Sequence, residues 1–402
     1  MEVLFYTDSY PPMRDGVAAV TSGLARTLVR FGHSVRVIAP NVLRGAPSSE
    51  ERVDGVLVRR IRSVPIPLYG QYRWPVFPFG LLRGAWGGRD ADLIHLHTPG
   101  PLGSMAFLTA RRFDRPLVGT FHTNLKEMQE SVPRKLLVPS FFRLAWWYNL
   151  GTYWRCDVTT APSAAAREAL EAGARKPFRR KVEVIPNGID SQRFRPGSRV
   201  PDWRARCGLP PGALATFLGR LTVDKGVHRF LDAVTEAIRH TDLLAIVGGI
   251  GPEEENVRER IDNDPELRPR VRYVGPVAEE EKAALLSQSD LFVLPSTSDT
   301  SSVALLEAMA CGSMVIAPDV GGPAEIVEDG VTGRLVSMRE PGALGTALVE
   351  LADRPAERKA VGRRASEFVQ GYASLETMAR RFISLYSLLE ERHARQQAGT
   401  AL

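Results

Sequence analysis

The stretch Leu291–Ala317, LFVLPSTSDTSSVALLEAMACGSMVIA, decides how the rest of the chain is read. Its spacing predicts a short apolar strand (Leu291 to Leu294), a polar turn, a helix from about Ser302 to Cys311, and a second strand (Met314 to Ala317). Thr300, Ser301 and Ser302 are N-cap residue types, and Gly312 is a C-terminal stop. A helix that starts just past the C-terminal edge of a parallel strand lies where doubly wound folds hold their ligands. Its first N–H groups lack intrahelical acceptors and carry the positive end of the helix dipole, which suits a phosphate. Asp299 in the turn and Glu307 in the helix form an acidic pair eight positions apart. The plainer reading is a solvated turn aspartate and a surface glutamate. Against it, Glu307 stands between Leu306 and Ala308 in the run VALLEAMA, a poor place for a merely solvated charge. A carboxylate there is expected to meet a polyol or a cation.

Outward from this stretch, strand and helix patterns alternate along the whole chain. Glu2–Thr7, Ser34–Pro40, Ala91–His97, Pro116–Thr123 and Lys181–Asp190 read as strands of a first series, with a helix over Val17–Phe31. After the Pro- and Gly-rich segment 191–212 the series restarts with Leu214–Leu221, Leu243–Gly249, Val271–Pro276, Asp290–Ser296 and Ser313–Asp319. Such β-α-β alternation implies α/β architecture with parallel sheets and helices on both faces. Residues 1–190 and 213–354 are expected as two Rossmann-like domains joined by the linker 191–212, with a ligand cleft between them. The helices of 355–402 are expected to cross back onto the first domain. At 402 residues the chain is long for one core, which agrees with two domains.

Composition narrows the class of function. Charged residues at 24% and hydrophobic ones at 44% describe an ordinary globular protein, and no apolar run approaches the roughly 20 residues of a membrane span. MEVLFYTDSYPP lacks the basic start and small-residue cleavage site of a signal peptide. Cys156, Cys207 and Cys311 are widely spaced and odd in number, so free thiols and a cytoplasmic location are expected. Net charge is +6, and phosphorylated ligands or anionic lipid would account for it. Nucleic acid is the weakest partner, because no zinc-finger spacing, recognition-helix pattern or aromatic RNA-binding signature is present.

Several turns carry chemistry. TDSYPPMRDGVAAV (Thr7–Val20) passes from strand to helix through Gly16, which would let a phosphate or sugar approach a helix N-terminus; taken by itself, an ordinary strand–helix turn is the reading favoured. In GRLTVDKG (Gly219–Gly226), Arg220 and Lys225 follow a strand end and precede a helix, so both cations can converge on one diphosphate. The glycine turns of VGGIGPEEE and YVGPV, with Gly249, Gly251 and Val277, would let main-chain groups meet a nucleobase. His122 in GTFHT ends a buried strand, and a catalytic role outweighs a core one. His95 and His97 share a strand face without a third metal ligand. Trp146, Trp147, Tyr148, Tyr153 and Trp154, with Lys126, Arg134, Lys135, Arg143 and Arg155, suit a lipid headgroup boundary as well as they suit core packing with a solvated basic face. PIPLYGQYRWPVFPFG (Pro65–Gly80) reads as an apolar, Pro-rich loop.

Taken together, DGV, TFHT, VIPNGID, GRLTVDKG, VGGIGP, the Asp299–Glu307 pair before EAMACG, and VGGPAEIVEDGVTGRLV resemble the retaining nucleotide-sugar glycosyltransferases of glycosyltransferase family 4. The resemblance covers nearly the whole chain and implies the GT-B architecture, two Rossmann-like domains with parallel sheets facing across a cleft. It implies Glu307 on the ribose hydroxyls and Arg220 and Lys225 on the donor diphosphate, with Gly16, Ser302 and Val303. Asp299, Ser301 and Ser302 would meet the donor sugar, and His122 and Asp299 the reacting centre. No metal and no resident cofactor are implied, the co-substrate being a UDP-, GDP- or ADP-linked sugar. Two departures stand out. The first acidic residue is Asp299 rather than the usual Glu, and Ser301-Ser302 replaces the usual Phe-Gly, which alters the donor-sugar pocket. VPIPLYGQYR, HLHTPGPLG and TFHTN are similar to the branch that glycosylates diacylglycerol-type lipids. That implies a lipid acceptor and peripheral contact with the inner face of the cell membrane. A soluble sugar phosphate, glycerate or thiol precursor as acceptor, or a non-catalytic nucleotide-sugar-binding protein, are the alternatives.

Overall fold

The computed structural model describes every residue except 14, 44–45, 67–68, 77–86, 123–138, 175–176, 179, 198–200, 298 and 401–402. By its contacts the chain divides into two units. One contains Met1–Leu125, Leu137–Gly188 and Leu375–Leu402, and the other Lys126–Leu136 and Ile189–Ser374.

In the first unit the strands are β1 (Glu2–Tyr6), β2 (Ser34–Pro40), β3 (Ser49–Val53), β4 (Val56–Ile61), β5 (Ser63–Ile66), β6 (Tyr69–Pro75), β7 (Leu93–Leu96), β8 (Leu117–Thr120), β9 (Val158–Ala161) and β10 (Glu183–Val184). Its helices include α1 (Gly16–Arg30), α2 (Pro101–Phe113), α3 (Pro139–Trp154) and α4 (Ala164–Gly173). Eight strands form one sheet in the order β10-β9-β8-β7-β1-β2-β4-β3, parallel throughout except for the β3–β4 edge. That edge hairpin turns at Asp54-Gly55, both with positive φ, the geometry that two-residue hairpin loops favour. β1, β7 and β8 are buried almost throughout because both of their faces are covered, with His95 and Thr120 as buried polar members. On one face Leu4, Tyr6, Ile38, Ile94 and Leu96 pack with Leu102, Met105 and Ala106 of α2. Each leucine, isoleucine and methionine there contributes about 1.5–3 kcal/mol of apolar burial. α1 starts at an Asp15 N-cap, whose carboxylate accepts from the Ala18 N–H at 2.8 Å.

The Pro-rich stretch expected as a loop instead forms a two-stranded antiparallel ribbon, β5 with β6, in which Val64 lies opposite Trp74. Prolines are tolerated there because the ribbon is two edges with no central strand. Residues 67–68 and 77–80 of that stretch lie outside the described residues, as do Thr123, Lys126, Arg134 and Lys135.

The second unit contains α5 (Trp203–Cys207), β11 (Leu214–Leu218), α6 (Val227–Ile238), β12 (Leu244–Gly248), α7 (Glu254–Asn263), β13 (Val271–Gly275), α8 (Lys282–Gln288), β14 (Leu291–Val293), α9 (Val303–Ala310), β15 (Met314–Pro318), α10 (Gly322–Ile326), β16 (Arg334–Val336), α11 (Ala343–Ala352) and α12 (Pro355–Tyr372). Its sheet is wholly parallel, in the order β13-β12-β11-β14-β15-β16. Alternation along β11 sends Ala215 and Phe217 into a core with α6, α7 and α11. Leu214 and Leu218 enter a second core, with α8, α9 and α12, on the opposite face. Trp203 of α5, in the expected linker, is buried in that second core. The stretch 355–402 divides between the units. α12 packs on α9 and β15, whereas α13 (Leu375–Thr400) belongs to the first unit and packs along α1, where Gly23 accommodates Leu375.

Candidate active site

The sheet of the second unit reverses its order between β11 and β14, with β12 and β13 to one side and β15 and β16 to the other. Such a switch point leaves a crevice past the carboxyl ends of the two strands. The turn after β11 carries Arg220 and Lys225, and the segment after β14 carries Asp299, Ser301 and Ser302 and leads into α9. These two segments meet. Lys225 Nζ lies 2.9 Å from Asp299 Oδ2, both side chains largely shielded, while Arg220 is exposed. The Thr297 N–H donates to the Asp224 carbonyl, and Gly226 sits against the Pro295 carbonyl with no room for a Cβ.

A third segment joins them. The Leu221 N–H donates to the Ile250 carbonyl at 2.9 Å. Gly249 has φ +136°, and a Cβ there would collide with the Gly219 carbonyl. Gly251 similarly abuts the Leu221 carbonyl. The glycines expected to face a nucleobase are therefore required first by main chain against main chain. The Val277 side chain is buried in the second core beside Leu218, so what it offers a base is the main-chain contact expected of it.

α9 opens at the switch point. Ser302 is its N-cap, with Oγ accepting from the Leu305 N–H, which leaves the hydroxyl's own hydrogen to donate. Val303 is the first helical residue, and the opening N–H groups have no intrahelical acceptor. Asp299 and Ser301 lie in the turn ahead of it, with the Gly322 N–H donating to the Asp299 carbonyl at 2.9 Å. Glu307 is 3% exposed, which excludes the solvated surface role. Burial pushes its carboxyl up to about 7, against the pull of Lys282, whose ammonium lies 3.8 Å from Glu307 Oε2. Sequence reading missed Lys282, which is distant in the chain and lies in an unremarkable charged run, AEEEKAALL.

Gly16 and His122 belong to the first unit. Gly16 is the exposed first residue of α1. His122, just past β8, is half-buried, and its Nε2 shares a hydrogen bond with His97 Nδ1 at 3.1 Å, the two rings stacked. Burial lowers His122 to about 4, so it is a neutral imidazole at physiological pH. His95 is a core histidine: Nδ1 meets Tyr386 Oη and Nε2 meets Thr120 Oγ1, both at 2.6 Å. The sheet of this unit also reverses order, between β1 and β7, and Asp8 follows β1 there. Its carboxylate accepts from Thr98 Oγ1 at 2.8 Å beside Gly100, and burial raises it to about 6. An acid directly after a buried strand, in FYTDS, was the available signal for Asp8.

The aromatic stretch divides by environment. Trp146, half-buried, packs on Gly173 and edge-on to Phe121, and Trp154, also half-buried, donates through Nε1 to the Pro177 carbonyl. Trp147, Tyr148 and Leu144 are exposed on α3, and Leu108 is exposed on α2. Arg111, Arg112 and Arg155 are exposed on or beside the same two helices. The side chain of Arg143 lies outside the described residues. Among the described residues no helix is long and apolar enough to cross a membrane, and no three His, Cys, Asp or Glu side chains cluster as metal ligands.

Residues 14–193 match the model of Glycosyltransferase Family 4, and residues 213–354 match that of Glycosyl transferases group 1. A GDP-mannose-dependent alpha-mannosyltransferase of Mycolicibacterium smegmatis is 32% identical, over 84% of this chain and 85% of that one. An alpha-monoglucosyldiacylglycerol synthase of Streptococcus pneumoniae is 27% identical, over 79% of this chain and 71% of its own length. Among solved structures, the Anabaena protein HepE in complex with UDP-glucose superposes with a TM-score of 0.74 at 20% identity, covering 96% of this chain and 99% of that one.

Proposed function

The chain belongs to glycosyltransferase family 4, is a nucleotide-sugar-dependent glycosyltransferase of the GT-B fold, and from that premise we propose that it transfers a hexosyl group, with retention and without a metal, to a hydroxyl of a membrane lipid. GDP-mannose is the donor favoured by the name of the mycobacterial relative, and a glycerolipid-type acceptor by that of the streptococcal one. The observation that carries the reading is the convergence of Lys225, Asp299 and the start of α9 at the switch point of the second unit, with Glu307 buried further along that helix.

Cleavage of the donor's glycosidic bond leaves negative charge on the departing diphosphate. Arg220, Lys225 and the N–H groups opening α9 are the positive groups available to stabilise it, which is the task a metal ion performs elsewhere. Glu307 would accept from the ribose hydroxyls, and Asp299 with the main chain of Ser301 would hold the sugar. His122, neutral because it is buried, would orient the sugar by hydrogen bonding and would not supply charge. With no carboxylate assigned as nucleophile, the acceptor hydroxyl attacks from the face that the diphosphate leaves, and its proton passes to a diphosphate oxygen. For the acceptor, exposed Trp147, Tyr148, Leu144 and Leu108 beside Arg111, Arg112 and Arg155 combine rings for a lipid interface with cations for anionic headgroups.

The test is a transfer assay with GDP-mannose, UDP-glucose and ADP-glucose, run against glycerolipid vesicles and against soluble sugar phosphates and glycerate. Anomeric configuration of the product is read by NMR. Transfer to lipid with retention is expected. Transfer to a soluble acceptor in the absence of lipid would replace the acceptor assignment and leave the donor site standing.

A further inference from the structure

Four charges of alternating sign run through the second unit to the buried Glu307. Arg193 Nη1 lies 3.6 Å from Glu279 Oε1, Glu279 Oε2 lies 2.6 Å from Lys282 Nζ, and Lys282 Nζ lies 3.8 Å from Glu307 Oε2. They come from three separate places: the turn following Asp190, the turn ahead of α8 with the first residue of α8, and α9. The buried residues of α8 are Ala283, Ala284, Leu285 and Leu286, so the packing of that helix does not itself call for a lysine at its start. A carboxylate as deeply buried as Glu307 is neutralised by its surroundings unless a cation stands beside it.

We propose that Lys282 is a positioning residue of the donor site, holding the Glu307 carboxylate ionised so that it accepts hydrogen bonds from the ribose hydroxyls of the nucleotide. The inference rests on the ribose role given to Glu307 above. Arg193 and Glu279 act behind Lys282: Glu279 takes the ammonium at short range and fixes it, and Arg193 balances Glu279.

The charged and titratable groups around Glu307 agree with this role. Burial raises Glu307, Lys282 opposes the rise, Glu279 adds to it, and Arg193 opposes it. Burial by itself would lower the Lys282 ammonium, yet Glu307 and Glu279 outweigh burial and leave it above its ordinary value. At the end of α9, burial pushes the Cys311 thiol up to about 12, so it is neutral wherever Glu307 titrates. From α12, packed on α9, Ser366 contributes only a hydroxyl, donated to the Ala310 carbonyl.

The sign follows from the raised carboxyl. Glu307 is ionised above about 7 and protonated below it, so nucleotide affinity should fall as pH drops through that value. Without Lys282 the opposing cation is gone, and the fall moves to higher pH. A displacement of one unit would take the ionised fraction at pH 7 from about one half to about one eleventh, roughly a fivefold loss of affinity that recovers by about pH 9.

The experiment is calorimetric titration of the full chain with GDP and with UDP from pH 5.5 to 9. The parent is compared with Lys282→Met, Lys282→Gln, Lys282→Arg and Glu307→Gln. Titration of the nucleotide's own phosphate is common to all five proteins and cancels between them. Lys282→Met and Lys282→Gln should move the affinity profile alkaline, Lys282→Arg should restore the parent profile, and Glu307→Gln should be weak with no titration of its own near 7. A parent-like profile in both Lys282→Met and Lys282→Gln, with Glu307→Gln still weak, overturns the role of Lys282 alone. Unchanged affinity in Glu307→Gln overturns the ribose assignment, and the inference with it.

Discussion

Replacing Asp299 by Asn is expected to strengthen binding of a bare nucleoside diphosphate while slowing glycosyl transfer. The Asp299 carboxylate holds Lys225 Nζ at 2.9 Å, with side-chain exposures of 5% and 18%. A diphosphate arriving at the turn after β11 competes with that carboxylate for the ammonium and is repelled by its charge. A hydrogen bond to a charged group contributes about 1.5–3 kcal/mol. Asn keeps the shape and one acceptor oxygen, so the lower end applies: about 1.5 kcal/mol, or about tenfold in dissociation constant. Lys225→Ala should act with the opposite sign, weakening diphosphate binding by at least as much. It also leaves the buried Asp299 carboxylate without that ammonium, so the variant should melt earlier, with a cost approaching the ~3 kcal/mol of breaking a buried pair. Calorimetry with GDP and UDP reads the first effect, and thermal unfolding followed by circular dichroism reads the second. If Asp299→Asn melts like the parent yet binds nucleoside diphosphate no more tightly, the carboxylate does not compete with phosphate for Lys225 and the site has been misread.

His122→Ala should lower kcat at least tenfold, about 1.4 kcal/mol, while changing donor affinity little, and steady-state kinetics beside calorimetry separate the two. Because burial holds His122 near 4, no step in its rate profile between pH 5 and 9 should disappear in this variant. Gly249→Ala should cost ~2 kcal/mol or more in urea unfolding, since φ +136° and the Gly219 carbonyl both exclude a Cβ; a parent-like midpoint would contradict that packing. Reversing Arg111, Arg112 and Arg155 to Glu should abolish co-sedimentation with anionic vesicles, each cation contributing about 1 kcal/mol, with GDP binding unchanged. Retained sedimentation would move the membrane contact elsewhere. Activity should survive EDTA; loss on chelation with rescue by magnesium would replace the metal-free mechanism.

The second sheet was legible because its strands are buried on both faces: LATFL, LAIVG and MVIAP read as uninterrupted apolar runs between glycine turns. β9, with sequence VTTA, went unread because it has two threonines where an apolar run was sought. Thr160 is satisfied there by Thr120 at 2.7 Å, a partner forty positions away. The β5–β6 ribbon was misread for the opposite reason, since its prolines signal a loop and only pairing across Val64 and Trp74 reveals strands. α3 carries a run of aromatic residues whose exposure differs from one residue to the next, and sequence could not say that Tyr153 is fully buried and Trp146 packs on Gly173 while Trp147 is 56% exposed.

By itself the sequence determined the alternation of strand and helix, the restart after residue 212, the helix that opens after Ser302, and the residue types that meet a phosphate and a polyol. These are local properties, written in periodicity, caps and turns within a few residues of one another. The tertiary structure alone decided strand order, and with it the switch point that brings Lys225 to Asp299 across 74 positions. It also decided that Ser302 Oγ accepts from its own helix, and that Lys282 stands beside a buried Glu307. The reason is physical: a charge-charge contact or a desolvated carboxylate depends on distance and burial in space, and neither is encoded by the spacing of residues along a chain.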